Sequence, residues 1–162
     1  MARVFVGMSG GVDSSAAALL LQRQGHAVEG IHLQLLGGLP LPPGSAAPAA
    51  ADARAVAEKL GVPIHFLDLS REFRESVAAD FVAEYQAGRT PNPCIVCNRR
   101  IKFGAMLDAA LSLGGGYLAT GHYARVRYDA PSGRWLLLRG TDPARDQSYF
   151  LYRLTQFQLA HT

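Results

Sequence analysis

Two segments of the sequence combine residue types that could carry out chemistry. Residues 7–15 read GMSGGVDSS and directly follow a short apolar run. Glycines at such a turn let backbone N–H groups approach an anion closely, and a helix that starts there presents its positive end to the same anion. Residues 88–103 read GRTPNPCIVCNRRIKF and contain both cysteines of the chain. The first segment therefore indicates anion binding, and the second indicates thiol or metal chemistry.

The glycine-rich loop differs from the two most familiar phosphate-binding motifs. It has neither the GxxxxGK[ST] spacing of a Walker A loop nor the GxGxxG pattern of dinucleotide-binding folds. A Gly-rich turn with a Ser or Asp helix cap would account for SGG alone. The complete SGGVDSS segment is more specific and resembles the PP-loop of ATP pyrophosphatases, which binds the pyrophosphate released when ATP adenylylates a substrate oxygen. That resemblance implies ATP as a ligand and Asp13 as a residue that positions Mg²⁺.

Several interpretations of Cys94 and Cys97 fit the residue types. They could supply half of a Zn²⁺ site, although the chain has no second pair and His122 is the nearest plausible addition. A thioredoxin-like redox pair is another option, but its usual βαβ setting is missing. One cysteine could instead be a nucleophilic thiolate, stabilised by the cations that follow and by a helix that starts near Asn98. Two small buried residues would be the simplest alternative.

Length and composition exclude several classes of protein. The chain has 162 residues, of which 49% are hydrophobic, so one domain can build a core. No run approaches the roughly 18 apolar residues of a membrane span, and the N-terminus has no signal-peptide pattern. Two cysteines without a leader indicate a reducing compartment. We therefore expect a cytoplasmic enzyme or binding protein, not a disordered chain, a membrane protein or a secreted disulfide scaffold.

The charge of +3 is unevenly distributed along the chain. Residues 1–81 contain six basic and eight acidic side chains, whereas residues 82–162 contain ten and five. Fourteen of the sixteen basic residues are arginines, whose planar guanidinium binds phosphate in a bidentate manner. The second half is therefore compatible with nucleic-acid binding, although solvated surface charge would give the same composition.

The order of predicted elements indicates the fold class. Strands are predicted at 4–6, 27–36, 62–67 and 117–120, with a hairpin at 123–128 and 134–139. Helices are predicted at 14–24, 51–60, 70–87, 101–112 and 147–160. Residues 39–48 read as a loop, and the prolines in 88–98 argue against regular helix there. This alternation predicts an α/β, doubly wound, Rossmann-like parallel sheet of about five strands with helices on both faces and a ligand site beside residues 7–15.

Four segments, in order, resemble the tRNA-specific 2-thiouridylase family. They are GMSGGVDSS, GRTPNPCIVCNRRIKFG, ATGHYARV and LLRGTDPARDQSYFLY, and together they span nearly the whole chain. Members of that family use ATP to replace the C2 oxygen of the wobble uridine in certain tRNAs by sulfur. The resemblance implies an ATP-dependent tRNA sulfurtransferase that also needs Mg²⁺ and a persulfide delivered by a sulfur-carrier protein. The uridine would be splayed out of the anticodon loop to react.

The resemblance also implies roles for individual residues. ATP binding is implied for Gly7, Met8, Ser9, Gly10, Gly11, Val12, Asp13, Ser14, Leu33 and Gly121. Contact with the tRNA or its target base is implied for Asn92, Pro93, Cys94, His122, Arg145, Asp146 and Gln147. Cys97 matches the nucleophilic cysteine, and Asp13 is the expected Mg²⁺ ligand. Two positions depart from the family pattern, because many members carry Asp at the position of Cys94 and Lys at that of Arg145.

The resemblance is incomplete. The family's second catalytic cysteine, its central domain and its C-terminal β-barrel have no counterpart among these residues. An iron–sulfur cluster, favoured in some accounts of the family, would need a further ligand besides the two cysteines. We therefore expect residues 1–162 to be one PP-loop catalytic domain of a truncated copy, with a core at 1–140 and the start of a connecting helical region at 141–162. A non-catalytic ATP- and tRNA-binding fragment, or another PP-loop ATP pyrophosphatase, is the alternative.

Overall fold

A parallel sheet with the strand order β3-β2-β1-β4 forms the centre of the computed structural model, which describes residues 1–37 and 47–162. Its strands are β1 (Arg3–Gly7), β2 (Ala27–Gln34), β3 (Ile64–Asp68) and β4 (Tyr117–Ala119). The strand order reverses at β1, which pairs with β2 on one side and β4 on the other. A crevice therefore opens beyond the carboxyl ends of β1 and β4, where ligands bind in such sheets. The predicted doubly wound α/β fold is confirmed, with four described strands in the parallel sheet.

Helices cover both faces of this sheet. On one face, α1 (Val12–Arg23) and α2 (Ala47–Leu60) pack against β1 and β2. On the other face lies a continuous helical run made of α5 (Pro93–Cys97), a π-helical segment (Asn98–Ala105) and α6 (Met106–Ser112). Alternate residues of a strand point to opposite faces, so neighbouring Phe5 and Val6 are both fully buried in different clusters. The central strand is thus fixed from both sides, and its carboxyl end is held in place.

The remaining elements surround the sheet. After β3 come α3 (Ser70–Phe73), a first π-helical segment (Arg74–Ala78) and α4 (Ala79–Gln86), which together confirm the helix predicted at 70–87. The predicted hairpin is present as β5 (Ala124–Asp129) and β6 (Arg134–Arg139), which form a separate antiparallel pair. The loop predicted at 39–48 falls mostly outside the described residues, and its last two positions open α2. In the described part of the chain, every helix is too short or too polar to cross a membrane.

Two predictions of secondary structure were wrong. Residues 147–160 are not one helix, because a 3₁₀ turn (Ser148–Leu151) is separated from α7 (Gln156–Ala160). The expectation that 88–98 contains no regular helix also fails, since α5 begins at Pro93 and not near Asn98. Proline at the first helical position loses no intrahelical hydrogen bond and has its φ angle already set. The side chain of Asn92 caps this helix by accepting a hydrogen bond from the N–H of Cys94 at 3.2 Å.

The π-helical segment 98–105 is stabilised by the C-terminal part of the chain. Its wider turns are visible in the hydrogen bond from the N–H of Met106 to the carbonyl of Ile101, five residues earlier. The amide of Gln158, in α7, donates to the carbonyls of Arg99 at 3.0 Å and Phe103 at 2.7 Å. These two bonds satisfy acceptors within the irregular segment, so α7 fixes the shape of a helix that lies more than fifty positions earlier in the sequence.

Replacing Gln158 by Glu tests this support. The carboxylate can still accept from the N–H of Thr155 within the helix cap, but it cannot donate to the two carbonyls of Arg99 and Phe103. We expect the free energy of unfolding to fall by about 1–3 kcal/mol, because both acceptors lose their donor. Urea denaturation measures this change. Gln86→Glu, at an exposed position of α4, is the matched control, and an equally small effect of both substitutions would contradict the role of Gln158.

Candidate functional site

A cavity of about 810 Å³ lies at the carboxyl ends of the parallel strands. Loop 7–15 forms one wall, the end of β2 forms another, and the residues just after β4 close a third. Nine of the residues with a predicted ligand or tRNA role line it: Gly7, Met8, Ser9, Asp13, Ser14, Leu33, Gly121, His122 and Gln147. Cavities of this size commonly hold a small organic ligand. The structure therefore brings the loop, β2 and the residues after β4 into one site.

The serines of the loop are tied into its own backbone. The hydroxyl of Ser14 donates to the carbonyl of Gly11 at 3.0 Å, and that of Ser15 donates to the same carbonyl at 2.8 Å. The N–H of Ser9 in turn donates to the Ser14 hydroxyl at 3.3 Å. Ser14 is buried, whereas Gly11 and Asp13 are exposed at the start of α1. These bonds hold the turn in the shape that presents the first N–H groups of α1 to the cavity.

Two glycines allow other elements to approach this loop closely. Gly10 has φ +85°, a left-handed conformation, and a Cβ at this position would lie 2.7 Å from Cβ of Asp52 in α2. A Cβ at Gly121 would lie 2.7 Å from the carbonyl carbon of Asp13 and 2.8 Å from the nitrogen of Ser14. The Gly121 contact is with backbone atoms and cannot be relieved by rotating a side chain. Gly121 therefore sets the position of the loop relative to β4.

A hydrogen-bonded chain joins the loop to the C-terminal motif. The hydroxyl of Tyr123 donates to Oδ1 of Asp13 at 2.7 Å. Arg145 donates to that hydroxyl at 3.3 Å, and its guanidinium carbon lies 5.6 Å from the centre of the Tyr123 ring. The backbone of Tyr123 also exchanges two hydrogen bonds with Gln147, one to the side-chain oxygen and one from the N–H. The exposed Arg145 is thereby placed beside the loop on the outer side of Tyr123.

Asp146 is occupied by contacts within the chain. Its Oδ1 accepts hydrogen bonds from the N–H groups of Gly140 at 2.8 Å and Ser148 at 3.1 Å. Oδ2 accepts from the Ser148 hydroxyl at 2.9 Å. These bonds, first of all those from the two backbone N–H groups, hold the pKa of the Asp146 carboxyl below its usual value. The carboxylate thus shapes the turn that presents Arg145 and Gln147.

The two cysteines lie on α5 and do not line the cavity. Cys94 is exposed, whereas Cys97 is partly buried and packs against the cluster of Leu69, Val77 and Ile101. Phe73, which lines the cavity, packs against the same cluster. Burial raises the pKa of the Cys97 thiol, and the positive charge of Lys102 only partly opposes this. The sequence offered a thiolate stabilised by these cations as one alternative, but in the structure burial outweighs their effect on the pKa of Cys97.

His122 lies between the cavity and the core. Its ring packs 5.7 Å from that of Phe103, and the hydroxyl of Thr120 lies 2.7 Å from its Nδ1. Burial, with a smaller contribution from the Lys102 ammonium, lowers the pKa of His122 to about 4. The imidazole is therefore neutral at pH 7, and it can serve as a hydrogen-bonding group but not as a phosphate-binding cation.

The cavity contains acidic residues of the type that binds magnesium. Asp13 and Asp68 both line it, and oxygen donors of this kind are the ligands that Mg²⁺ prefers. Cys94 and Cys97 alone supply fewer thiolates than the four that iron–sulfur clusters usually take. Among the described residues, no group of three or more His, Cys, Asp or Glu side chains is arranged to bind a metal.

Sequence reasoning missed several residues of this site. Asp68, Lys102, Thr120 and His32 line the cavity, and Tyr123 connects Asp13 with Arg145. Lys102 belongs to a segment that the sequence had singled out, so its charge was an available signal. Of the residues given a role, the following do not line the cavity: Gly10, Gly11, Val12, Asn92, Pro93, Cys94, Cys97, Arg145 and Asp146.

The four-stranded parallel sheet with a glycine-rich loop at its switch point defines a Rossmann-like α/β domain. Residues 2–162 match the family model described as the tRNA methyl transferase HUP domain, and the chain belongs to this family. It is 52% identical to the tRNA-specific 2-thiouridylase of Verminephrobacter eiseniae over 99% of its own length, and 53% identical to that of Moorella thermoacetica over 97%. The predicted resemblance is thereby confirmed.

The similarity covers only part of these relatives. The aligned region is 44% of the Verminephrobacter protein and 45% of the Moorella protein, so the chain spans less than half their length. Two solved structures share the fold with TM-scores of 0.50: a predicted subunit of tRNA methyltransferase from Methanocaldococcus jannaschii, and the U34-tRNA thiolase NcsA from Methanococcus maripaludis. They are 21% and 22% identical, each match covers 75% of this chain, and they cover 53% and 38% of the other chains. These structures support the α/β fold.

Substituting Gly121 by Ala tests the close packing of the loop. The new Cβ would push against the backbone of Asp13 and Ser14, so we expect weaker ATP binding and a loss of stability of about 1–3 kcal/mol. Isothermal titration calorimetry and thermal unfolding measure the two effects. Gly116→Ala is the control, because the nearest atom to its Cβ is the carbonyl oxygen of Arg3 at 3.8 Å. Equal behaviour of the two variants would contradict the packing argument.

The lowered pKa of His122 predicts that the stability of the fold depends on pH. Its folded-state pKa of about 4 lies below the value of about 6.5 expected in the unfolded chain. The unfolded state therefore binds more protons in this interval, and the residue's contribution to stability is complete above pH 6.5 and declines as the pH falls towards 4. NMR titration, with His122→Gln to assign the signal, should give a midpoint near 4. A midpoint near 6.5 would show that the ring is solvated.

Proposed function

We propose that the chain is the nucleotide-binding catalytic domain of an ATP-dependent tRNA sulfurtransferase. It would replace the C2 oxygen of the wobble uridine by sulfur and release AMP and pyrophosphate. The observation that carries the proposal is the cavity at the switch point, where loop 7–15 and Gly121 meet, in a chain about half identical to named tRNA-specific 2-thiouridylases. Because tRNA is the proposed substrate, the reaction would take place in the cytoplasm.

The residues that line the cavity include groups suited to the pyrophosphate, the adenine and the Mg²⁺ of ATP. The N–H groups at the start of α1 and the hydroxyls around Ser9 would bind the pyrophosphate, and apolar residues such as Leu33 would contact adenine. Asp13 and Asp68 would hold Mg²⁺, which when bound neutralises charge on the phosphates. The uridine oxygen would attack the α-phosphorus, and the bond to pyrophosphate would break. The loop thus retains the leaving group while the oxygen becomes part of an AMP ester.

Cys97 would then carry the sulfur that replaces the C2 oxygen of the uridine. A persulfide on Cys97, delivered by a sulfur-donor protein, would attack C2 with its terminal sulfur, and AMP would leave with the original oxygen. A second thiol must then cleave the remaining sulfur–sulfur bond, forming a disulfide with Cys97. The persulfide extends the side chain by about 2 Å beyond the partly buried Sγ. Cys94, one helical turn earlier and exposed, is the other thiol within this chain.

The tRNA would approach from the side of the basic half. Arg145 is exposed and oriented by Tyr123, which makes it suitable for a phosphate of the anticodon stem or loop. Asn92 and Pro93 lie at the start of α5, next to the cysteines, where the splayed base would enter. Asp146 would act through the turn it stabilises, and Gln147, which lines the cavity, would face the base.

A thiolation assay with two cysteine variants tests the proposal. The chain is mixed with ATP, Mg²⁺, a persulfide donor and unmodified tRNA, and 2-thiouridine is measured by mass spectrometry. We expect the wild type to form 2-thiouridine and Cys97→Ser to lose at least about 100-fold in rate, because the nucleophile is removed. Cys94→Ser, one helical turn earlier on the same helix, tests whether Cys94 is the second thiol.

The outcomes separate the candidate functions. Retained activity in Cys94→Ser means that the second thiol is supplied by another molecule, whereas its loss makes Cys94 that thiol. Wild-type activity in Cys97→Ser would exclude Cys97 as the nucleophile. ATP binding and tRNA binding without any 2-thiouridine would contradict the sulfurtransferase proposal for this chain and favour a binding role. Release of AMP and pyrophosphate with a different acceptor would favour another PP-loop ATP pyrophosphatase.

A further inference from the structure

We propose that Lys102, which lies in the π-helical segment 98–105, binds the phosphates of the nucleotide in the cavity. This inference rests on the proposed ATP site and adds a residue from the helical run that covers the other face of the sheet. Three observations support it: the charge balance of the cavity, the geometry of the helix and the electrostatic neighbourhood of the lysine.

The proposed reaction does not yet assign a basic residue of the cavity to the negative charge of the phosphates. Among the described residues that line it, Lys102 is the only lysine or arginine, whereas Asp13 and Asp68 are acidic. His122, with a pKa of about 4, contributes no positive charge at pH 7. Residues 38–46, which the structure does not describe, contain no charged side chain in the sequence. A polyphosphate in this cavity would therefore find a single permanent protein cation, the ammonium of Lys102.

Lys102 reaches the cavity from the π-helical segment 98–105. In a regular α-helix, residues five apart such as Cys97 and Lys102 lie about 140° apart around the axis. In a helix with i→i+5 hydrogen bonds, residues at this separation come close to the same side. Gly104 fits the widened turn closely, since a Cβ there would lie 3.1 Å from the carbonyl oxygen of Arg99. The segment thus places Lys102 on the side of Cys97, and Lys102 lines the cavity while Ile101 and Phe103 stay buried in the core.

The neighbourhood of Lys102 agrees with this placement. Its positive charge partly opposes the rise that burial causes in the pKa of the Cys97 thiol, and it adds to the fall that burial causes in the pKa of His122. In the described part of the chain, its ammonium has no ion pair with a carboxylate. A cation that is half-buried, unpaired and directed at a cavity is available to an anionic ligand.

Protection from an amine-reactive reagent tests the contact directly. The chain has only two lysines, and the other, Lys59, is exposed near the end of α2. The protein is acetylated with and without ATP and Mg²⁺, and each lysine is quantified by peptide mass spectrometry. We expect ATP to slow acetylation of Lys102 several-fold and to leave Lys59 unchanged. Equal labelling of Lys102 with and without saturating ATP would overturn the proposal.

Affinity measurements distinguish phosphate binding from a structural role. We expect Lys102→Met to weaken ATP binding about tenfold or more, as for the loss of a charge-assisted hydrogen bond, and to leave adenosine binding unchanged. Lys102→Arg should retain most of the affinity, and Lys59→Met should behave as wild type. Equal losses for ATP and adenosine would mean that Lys102 only supports the fold, and no loss for either would exclude it from the site.

The combined outcomes of these experiments distinguish this inference from the sulfurtransferase proposal. Lys102-dependent ATP binding without 2-thiouridine formation would support this inference and contradict the proposed reaction. Thiolation with unchanged ATP affinity in Lys102→Met would support the reaction and overturn this inference. Absence of ATP binding by the wild-type chain would contradict both.

Discussion

The contact between Gly121 and the backbone of Asp13 and Ser14 is the constraint on which the site depends. It joins the loop after β1 to the residues after β4, so that the two sides of the switch point meet at the cavity. Tyr123, two residues later, then donates its hydroxyl to Asp13. A single side-chain carbon at position 121 would separate these elements. The cavity, the position of the loop and the placement of Arg145 all follow from this close approach.

The sequence predicted the features that depend on local signals. The glycine-rich turn, the flanking strand and the helix at 12–23 are coded by neighbouring residues, and the structure has them close to where the sequence indicates. The alternation of strands and helices likewise predicted the α/β fold class. Pairings of residues far apart could not be predicted from spacing. Tyr123 and Asp13 are 110 positions apart, and only the folded chain shows that they meet.

The helix that carries the cysteines shows why other predictions failed. Proline both breaks helices and starts them, and the difference here depends on the cap provided by Asn92. No pattern of neighbouring residues predicts the π-helical segment. Two of its carbonyls accept hydrogen bonds from Gln158, which lies in α7 and is distant in the sequence. Burial of Cys97 beside Val77 and Ile101 likewise depends on tertiary packing, and it reverses the pKa shift that the nearby cations suggested. The Cys97 thiol therefore lies next to the cavity without lining it.

The central claim is that the cavity activates the C2 oxygen of a uridine as an AMP ester. A tRNA whose wobble uridine carries ¹⁸O at C2, incubated with the chain, ATP, Mg²⁺ and a persulfide donor, tests this claim most directly. Mass spectrometry of the released AMP should find one ¹⁸O for each 2-thiouridine formed, because the original oxygen leaves with the adenylate. AMP without ¹⁸O would mean that water or another nucleophile attacked the nucleotide, and it would contradict the account.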